Sequence, residues 1–336
     1  MNGMSKRRWV NRPDGSTWGD YGDDDQLGRM NLVTPEVVRS AIAEVREGLT
    51  FCLSLPLDLP GGDTLNSKRK PPELRPVFLN GEVYSNYRWS ERQPGIGDVS
   101  SDEAVLLHSQ YSTQWDSFAH VGADFDADGD GVPEPVYYNG YRAGEHVLSP
   151  YDGGALALGV DKMAASCIQT RGVMIDARRH HGDGRTVIGL DGLQAIMDAD
   201  GVEVRPGDIL MLHTGFATMI AEMAGEPDAG KLHASCAVLD GRDERLLQWI
   251  TDSGIVAIVS DNMAVEDAHG GGDCCSRLPL HHHCLFKLGV HLGELWYLDE
   301  LARALHERQR TAFLLTAPPL RLPGAVGSPV TPVATI

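Results

Sequence analysis

The segment from 108 to 120, HSQYSTQWDSFAH, carries the densest set of side chains that could do chemistry. Side chains in an extended stretch alternate between two faces, so Gln114 and Asp116 should point into one space. A turn near residue 117 would bring His120 to join them. Carboxylate, amide oxygen and imidazole groups all bind zinc or manganese, so the segment predicts half of a metal site. A buried hydrogen bond between Asp116 and His120 is the alternative.

A second candidate segment begins with three consecutive histidines, 281–283, and ends at Glu294 in the apolar run GVHLGELWYL. His282 and Glu294 are 12 positions apart, which on one straight helix would separate them by about 120°. They converge only if the chain turns between them, and Gly289 permits such a turn. A buried carboxylate needs a cation, a donor or a metal. Backbone amides holding Glu294 are the alternative.

Together the two segments resemble the metal-dependent cyclase-like hydrolases, the family that includes bacterial arylformamidase (kynurenine formamidase) and isatin hydrolase. The family signature HxGTHxDxPxH aligns with QYSTQWDSFAH at 110–120. A histidine 12 residues before a glutamate, as in His282 and Glu294, matches the second family element. Further stretches are similar to family landmarks: NLVTPEVV near the start, GDILMLHTG at 207–215 and PPLRLPGAVGSPVTPVA near the end.

The sequence departs from the signature at Gln110 and Gln114, which replace its two early histidines. In two-metal relatives those histidines and the aspartate hold the first metal. The second uses the aspartate, the later histidine, the distant histidine and the glutamate, all of which are kept here. The resemblance therefore implies one divalent transition metal, manganese or zinc, with these candidate ligands: Gln114, Asp116, His120, His282 and Glu294. Loss of the metal is the alternative, because an amide is a poor ligand.

The resemblance also implies hydrolysis of a C–N bond in a cyclic or aryl amide by a metal-activated water. His120 and Glu294 are the candidates for moving protons. Trp115, Phe118 and His213 are the candidates for contacting a small-molecule substrate. A lactone hydrolase or cyclase on the same site, and a catalytically inactive ligand-binding relative, stay open. The expected assembly is a homodimer or a higher homo-oligomer.

An acidic segment, DFDADGDGVPE at 124–134, begins like a calcium loop. Its candidate ligands are Asp126, Asp128, Asp130 and Glu134. Counted from the first aspartate, the twelfth position is Tyr137 rather than the closing glutamate of an EF-hand. Calcium and a bare acidic turn are both open.

A mixed α/β chain must position these residues, and the family fold that the resemblance implies is a swivelling β/β/α fold with short helices. Thr34 and Pro35 predict a helix start. Apolar β-rich runs predict strands at Val173 to Ile175, Ile209 to Leu212, Ile255 to Val259 and Phe313 to Leu315. Helical spacing predicts short helices around Leu193, Leu246 and Leu301. We expect one domain over 1–336, with an irregular N-terminal arm at about 1–30.

Composition narrows the class of protein. The 336 residues are 42% hydrophobic with a net charge of −18, so nucleic acid and anionic membrane surfaces are poor partners. No apolar run approaches the roughly 18 residues that span a bilayer. The six cysteines form no CxxC pair. We therefore expect a cytoplasmic protein with free thiols.

Overall fold

A nine-stranded mixed sheet forms the centre of the protein in a computed structural model, which describes residues 7–268 and 276–336. Numbered along the chain, its strands are Thr50–Cys52 (β1), Gln114–Asp116 (β2), Gln169–Asp176 (β3), Ile209–His213 (β4), Ala257–Ser260 (β5), His291–Glu294 (β6), Ala312–Thr316 (β7), Gly327–Pro329 (β8) and Val333–Thr335 (β9). Their spatial order is β1-β9-β7-β3-β4-β5-β6-β2-β8. Strands β3 to β6 run parallel, and every other neighbouring pair in the sheet is antiparallel.

The central strands read as continuous apolar runs because both of their faces are covered. Every residue of β4 and β5 is buried. The predicted mixed α/β class is confirmed, and each predicted strand is found within a few residues of its expected limits. The cysteine pair Cys274–Cys275 lies outside the described residues.

Nine α-helices connect or cover the strands in the described ranges: Pro35–Ile42 (α1), Val160–Ala165 (α2), Ala177–His181 (α3), Leu190–Asp200 (α4), Phe216–Glu222 (α5), Ala229–His233 (α6), Glu244–Ser253 (α7), Pro279–His281 (α8) and Asp299–Glu307 (α9). A π-helix, His282–Leu288, continues α8. Short 3-10 turns lie at Gly28–Leu32, Trp89–Glu91, Tyr138–Gly140 and Pro150–Asp152. The hydroxyl of Thr34 accepts a hydrogen bond from the Val37 amide, as expected for the cap of α1. None of these helices combines the length and apolar composition needed to cross a membrane.

The sheet separates two apolar cores because side chains alternate along each strand. Leu210 and Leu292 point into a core that they share with α4, α7 and the π-helix, which we call the α7 face. Met211 and Trp115 point into the other core, which they share with Leu301 of α9 and which we call the α9 face. Two residues that are adjacent along one strand therefore pack into different cores.

In the described part of the N-terminal arm, residues 7–30, turns and bends predominate over regular helix and strand. Its backbone docks on the turn that precedes β6: the Arg29 amide donates to the Gly289 carbonyl at 2.8 Å. A Cβ on Gly28 would stand 2.3 Å from the Gly289 oxygen, so only glycine allows this approach.

Small strands lie outside the main sheet. Ala123–Phe125, Glu134–Tyr137 and Tyr141–Arg142 form a three-stranded sheet, and Thr186–Ile188 pairs with Ala237–Leu239. Residues 73–106 form a β-ribbon from three strand pairs: Glu73–Pro76 with Glu103–Leu106, Phe78–Leu79 with Glu82–Val83, and Tyr87–Arg88 with Val99–Ser100. The ribbon exposes large apolar side chains, among them Leu74 and Phe78.

Candidate metal centre

The carboxylates of Asp116 and Glu294 share one end of the sheet because β2 and β6 are antiparallel neighbours. The register places Leu292 opposite Asp116 and Glu294 opposite Gln114. All four of these side chains lie on the α7 face by alternation. The alternation predicted for Gln114 and Asp116 is therefore found, and Glu294 joins them from the next strand.

The histidine that meets the carboxylates is His281, not His282. His282 points elsewhere and packs its ring 5.0 Å from that of Phe286. Gly289 adopts a left-handed φ of +60° and ends the π-helix, so the chain doubles back into β6 as expected. The prediction for His282 is corrected by one position: sequence spacing alone could not fix which of three adjacent histidines faces the strand. π-helical turns of this kind are frequent at functional sites.

Asp116, His281 and Glu294 offer three ligand atoms that lie within 4.8 Å of one another. The Nε2 of His281 is 3.3 Å from Oε1 of Glu294 and 3.9 Å from Oδ2 of Asp116. All three side chains are buried. One imidazole nitrogen and two carboxylates form a donor set that suits zinc or manganese.

The two glutamines face the carboxylates with their amide nitrogens. Gln110 Nε2 donates to Asp116 Oδ1, and Gln114 Nε2 donates to Glu294 Oε2 at 3.0 Å. The Gln114 oxygen is turned toward Arg69, whose Nη1 lies 3.5 Å away. Arg69 also donates to the backbone carbonyl of Gln110 at 2.6 Å. In this arrangement the amides hold the carboxylates in place by donating hydrogen bonds to them, and they do not act as oxygen ligands for a metal.

Glu266 orients His281 from behind. Its Oε1 lies 2.7 Å from His281 Nδ1, and its two oxygens accept the backbone N–H groups of Leu280 and His281 at 2.9 Å. A carboxylate on one ring nitrogen leaves the other free for a ligand position, as in many metal-binding histidines. Glu266 cannot be identified from the sequence, because nothing in the run AVEDA marks a site.

The electrostatics fit a place for a cation. Burial, reinforced by the charge of Glu294, raises the pKa of the Asp116 carboxyl. Burial also opposes ionisation of Glu294, but the hydrogen bond and charge of His281 outweigh it and lower that pKa. Burial lowers the pKa of His281, yet Glu266 and Glu294 raise it to about 10. Three buried carboxylates thus surround one imidazole.

A buried oxygen without a partner provides the test of fit. Oδ2 of Asp116 is fully buried and has no hydrogen-bond partner among the described residues. Leaving such an oxygen unsatisfied is costly. It lies beside His281 Nε2 and Glu294 Oε1, so a divalent cation held by these three side chains would satisfy it. The residues present therefore fit a metal ion.

His120 and Phe118 follow β2 in a turn, in which the His120 amide donates to the Ser117 carbonyl at 3.0 Å. The imidazole of His120 lies near enough to the cluster for its charge to oppose the rise in the pKa of Asp116 and to contribute to the lowered pKa of Glu294. It is more exposed than the other members. Phe118 is fully buried and stacks on His291, with ring centroids 3.9 Å apart, so it packs as a core residue.

Two of the predicted substrate-binding residues lie on the other side of the sheet. Trp115 packs edge-on against Trp296 on the α9 face, and its Nε1 donates to the Ala317 carbonyl at 2.8 Å. His213 lies on the α9 face as well, next to Met211 in the alternation of β4. Neither residue therefore lies beside the cluster: alternation that directs Asp116 to one face sends Trp115 to the opposite one.

The acidic loop gathers three of its four predicted ligands. Carboxylate oxygens of Asp126, Asp128 and Asp130 lie within 4.8 Å of one another. Glu134 instead accepts a hydrogen bond from Arg142 at 3.0 Å, and the same guanidinium reaches Asp128 at 3.4 Å. Calcium in this loop stays a prediction.

Comparison with known proteins identifies the family of the chain. The chain matches the model of the Cyclase family over residues 53–267, nearly two thirds of its length. The match includes the first half of the cluster and ends before the second. A search of curated proteins gives no match.

Solved structures give the same result. A structure described as a novel cyclase is 30% identical, with a TM-score of 0.75 over 96% of this chain and 97% of that one. Isatin hydrolase A from Labrenzia aggregata is 13% identical, with a TM-score of 0.55 over 88% and 94% of the two chains. Isatin hydrolase A from Ralstonia solanacearum is 15% identical, with a TM-score of 0.55 over 90% and 97%. The last two show the shared fold. From the family match and the 30% identical structure, the chain belongs to the Cyclase family.

Proposed function

We propose that the protein is a hydrolase that opens a cyclic amide or cleaves an aryl amide at its C–N bond, with one divalent transition metal bound at Asp116, His281 and Glu294. The observation that carries this proposal is the buried, unpartnered Oδ2 of Asp116 beside His281 Nε2. When bound, a divalent ion lowers the pKa of a water and polarises a carbonyl oxygen, which is the chemistry that amide hydrolysis needs.

The protein's own groups supply orientation around that position. Glu266 fixes the ring of His281, and the Gln110 and Gln114 amides fix the carboxylates. Each hydrogen bond leaves the opposite atom of the ligand pointing into the cluster. A site that is already in place before the substrate binds does not have to reorganise during the reaction.

His120 is the candidate for moving a proton. It is near both carboxylates, yet it is the member with access to solvent. An imidazole can both accept and release a proton, which is the chemistry that this role needs. We assign it to protonate the leaving nitrogen. Glu294, whose two oxygens are held by His281 and Gln114, is better placed as a ligand.

The loop that carries Gly61, Gly62 and Arg69 is held against the segment before β2, and its Arg69 contacts Gln110 and Gln114. Tyr111 accepts a hydrogen bond from the Gly61 amide and donates one to the Gly62 carbonyl, both at 2.9 Å. The cavity under this loop, lined in part by Arg69 and Leu295, has a volume of only about 20 Å³. This is room for about one water, so we propose that the loop moves when the substrate enters.

We further propose that the full chain acts as one domain and pairs as a homodimer. The β-ribbon of residues 73–106 supports this assembly, because it exposes several large apolar side chains along its length: Leu74, Phe78, Val83, Val99, Val105 and Leu106. Exposed apolar groups at this density are typical of surfaces that bind another protein. Light scattering on the purified protein should give a mass near twice 36.4 kDa.

The test of function is a substrate panel with matched pairs of lactams and lactones, including isatin, assayed with protein of measured metal content. Amide opening that is lost in Asp116→Asn, with the fold intact by circular dichroism, is the expected result. Faster turnover of the lactone in each pair would instead identify a lactone hydrolase. Purified protein that holds no transition metal and turns over nothing would identify an inactive relative.

A further inference from the structure

A second cavity opens on the α9 face, on the opposite side of the sheet from the metal cluster. Its volume is about 410 Å³, within the range of small-molecule sites. β3 and β4 end at it with Asp176 and His213, and α9 lines it with Ala302 and Arg303. The carboxyl ends of parallel strands are where open α/β sheets commonly bind ligands.

His213 directs an unused nitrogen into this cavity. The side chain is only 4% exposed, and its Nδ1 lies 2.8 Å from Oδ1 of Asp176. Its Nε2 is buried and has no hydrogen-bond partner among the described residues. The nearest carboxylate, that of Asp299, is 3.9 Å away, beyond hydrogen-bond distance. This buried nitrogen therefore lacks a hydrogen-bond partner, and it becomes a donor when the ring is protonated.

The charges around His213 favour its protonated form. Burial lowers the pKa of His213, but the hydrogen bond and charge of Asp176, with nearby Asp261 and Asp299, raise it overall. A protonated ring carries a hydrogen on both nitrogens, so Nε2 then donates. The protonated ring balances the negative charge of Asp176, and the carboxylate of Asp299 forms an ion pair with Arg178 at 3.0 Å.

An arginine at the mouth adds a free positive charge. Arg179 is paired with Asp200 at 3.0 Å. Arg303 is exposed, lines the same cavity and forms no ion pair with any residue in the described ranges. The cavity therefore has one buried donor at its base and one unpaired guanidinium at its mouth, although the protein as a whole is strongly acidic.

We propose that this cavity is a second binding site, which takes a small molecule through an anionic oxygen group, a carboxylate or a phosphate. The anionic oxygens accept from His213 Nε2 at the base and from the guanidinium of Arg303 at the mouth. Arginine suits this task because its planar donors match both groups. The site is separate from the metal cluster, because the sheet lies between them.

The experiment is calorimetric titration of the full chain at low ionic strength with benzoate in one arm and inorganic phosphate in the other. Saturable binding of at least one anion is expected, and the tighter arm identifies which anionic group the site takes. Arg303→Gln should weaken binding on the order of tenfold, the effect of removing one charge-assisted hydrogen bond. Arg245→Gln, on exposed α7 across the sheet, is the matched control and should bind as the wild type does.

His213→Asn is the second variant. Asparagine keeps a donor toward Asp176 but removes Nε2, so binding should be lost while the melting temperature stays near that of the wild type. If His213→Asn fails to fold, Arg303→Gln still decides the question, because Arg303 is exposed and unpaired. No saturable binding of either anion, or binding that Arg303→Gln leaves unchanged, would overturn the proposal.

Discussion

His281 Nε2 lies 3.3 Å from Oε1 of Glu294, although the two residues are thirteen positions apart in the chain. The π-helix and the left-handed Gly289 produce this contact by reversing the chain between them. It brings one histidine of an adjacent trio against a buried carboxylate and leaves the next one outside the cluster. This relationship gives the sharpest test of the metal centre.

His281→Ala should remove the transition metal, whereas His282→Ala should retain it. The reason is that only the His281 ring faces Asp116 and Glu294. Metal content by plasma mass spectrometry after dialysis measures the effect. The two variants are matched controls for each other, since both delete one imidazole at neighbouring positions. Equal metal content in the two variants would refute the assignment of His281.

The wild-type protein should bind close to one transition metal per chain, and Gln110→His with Gln114→His should raise the number toward two. The amides of the wild type occupy the space beside Asp116 as hydrogen-bond donors, and imidazoles would supply ligands there instead. Gln248→His, exposed on α7, controls for adding a histidine. Two metals per chain in the wild type at this cluster would contradict the prediction; calcium in the acidic loop is counted separately.

Glu266→Gln should weaken metal binding by roughly 10- to 100-fold, the usual effect of losing a carboxylate that orients a metal-binding histidine. An amide in place of the carboxylate no longer fixes the hydrogen of His281 on Nδ1. Competition with a chelator of known affinity measures the change. Glu226→Gln, an exposed glutamate, should bind metal as the wild type does. Unchanged affinity in Glu266→Gln would reduce Glu266 to a cap for the backbone of α8.

Trp115→Leu should destabilise the fold by about 3 kcal/mol, because a fully buried indole and its hydrogen bond to Ala317 are lost. Denaturant unfolding measures the effect, and Tyr151→Leu, at a side chain that is 97% exposed, should cost little. KM should stay near the wild-type value, since Trp115 is on the α9 face. A large rise in KM with unchanged stability would indicate instead that Trp115 contacts the substrate.

Asp208→Asn should change how stability depends on pH. Burial raises the pKa of Asp208 to about 6, against the pull of its partner Arg171. The folded protein therefore holds this proton more tightly than the unfolded chain, and its contribution to stability falls as pH rises from about 4 to 6. Between pH 4 and 7 the wild type should lose about 2–3 kcal/mol relative to the variant. Parallel curves for the two proteins would contradict this, and Asp198→Asn, at an exposed position, is the control.

Sequence patterns are sufficient to predict those parts of the site that lie on a strand. Alternation placed Gln114 and Asp116 together, and a lone carboxylate in an apolar run marked Glu294. The same alternation, applied to the residue between them, would have excluded Trp115 from the site. The signal that separates Trp115 from the site is therefore present in the sequence.

Other parts of the site depend on contacts that no local pattern encodes. Which of the three adjacent histidines faces the cluster depends on the π-helix, whose spacing differs from the 3.6-residue period assumed for helices. Glu266 reaches His281 across 15 positions, and Arg69 reaches Gln114 across 45. Such pairings follow from tertiary packing, so they emerge only once the strands are assembled.

The docking of the N-terminal arm has a consequence for synthesis of the protein in the cell. Thr17 and Trp18 emerge from the ribosome early, but their hydrogen bonds go to the carbonyls of Leu288 and Phe286, both at 2.8 Å. The arm must therefore wait for about 270 further residues to be translated before it finds its place. Because the same stretch of chain carries His281 and Glu294, a nascent chain cannot bring Asp116, His281 and Glu294 together until Glu294 has been translated. A metal ion held by these three side chains would therefore bind after that stretch is made, not to an early folding unit.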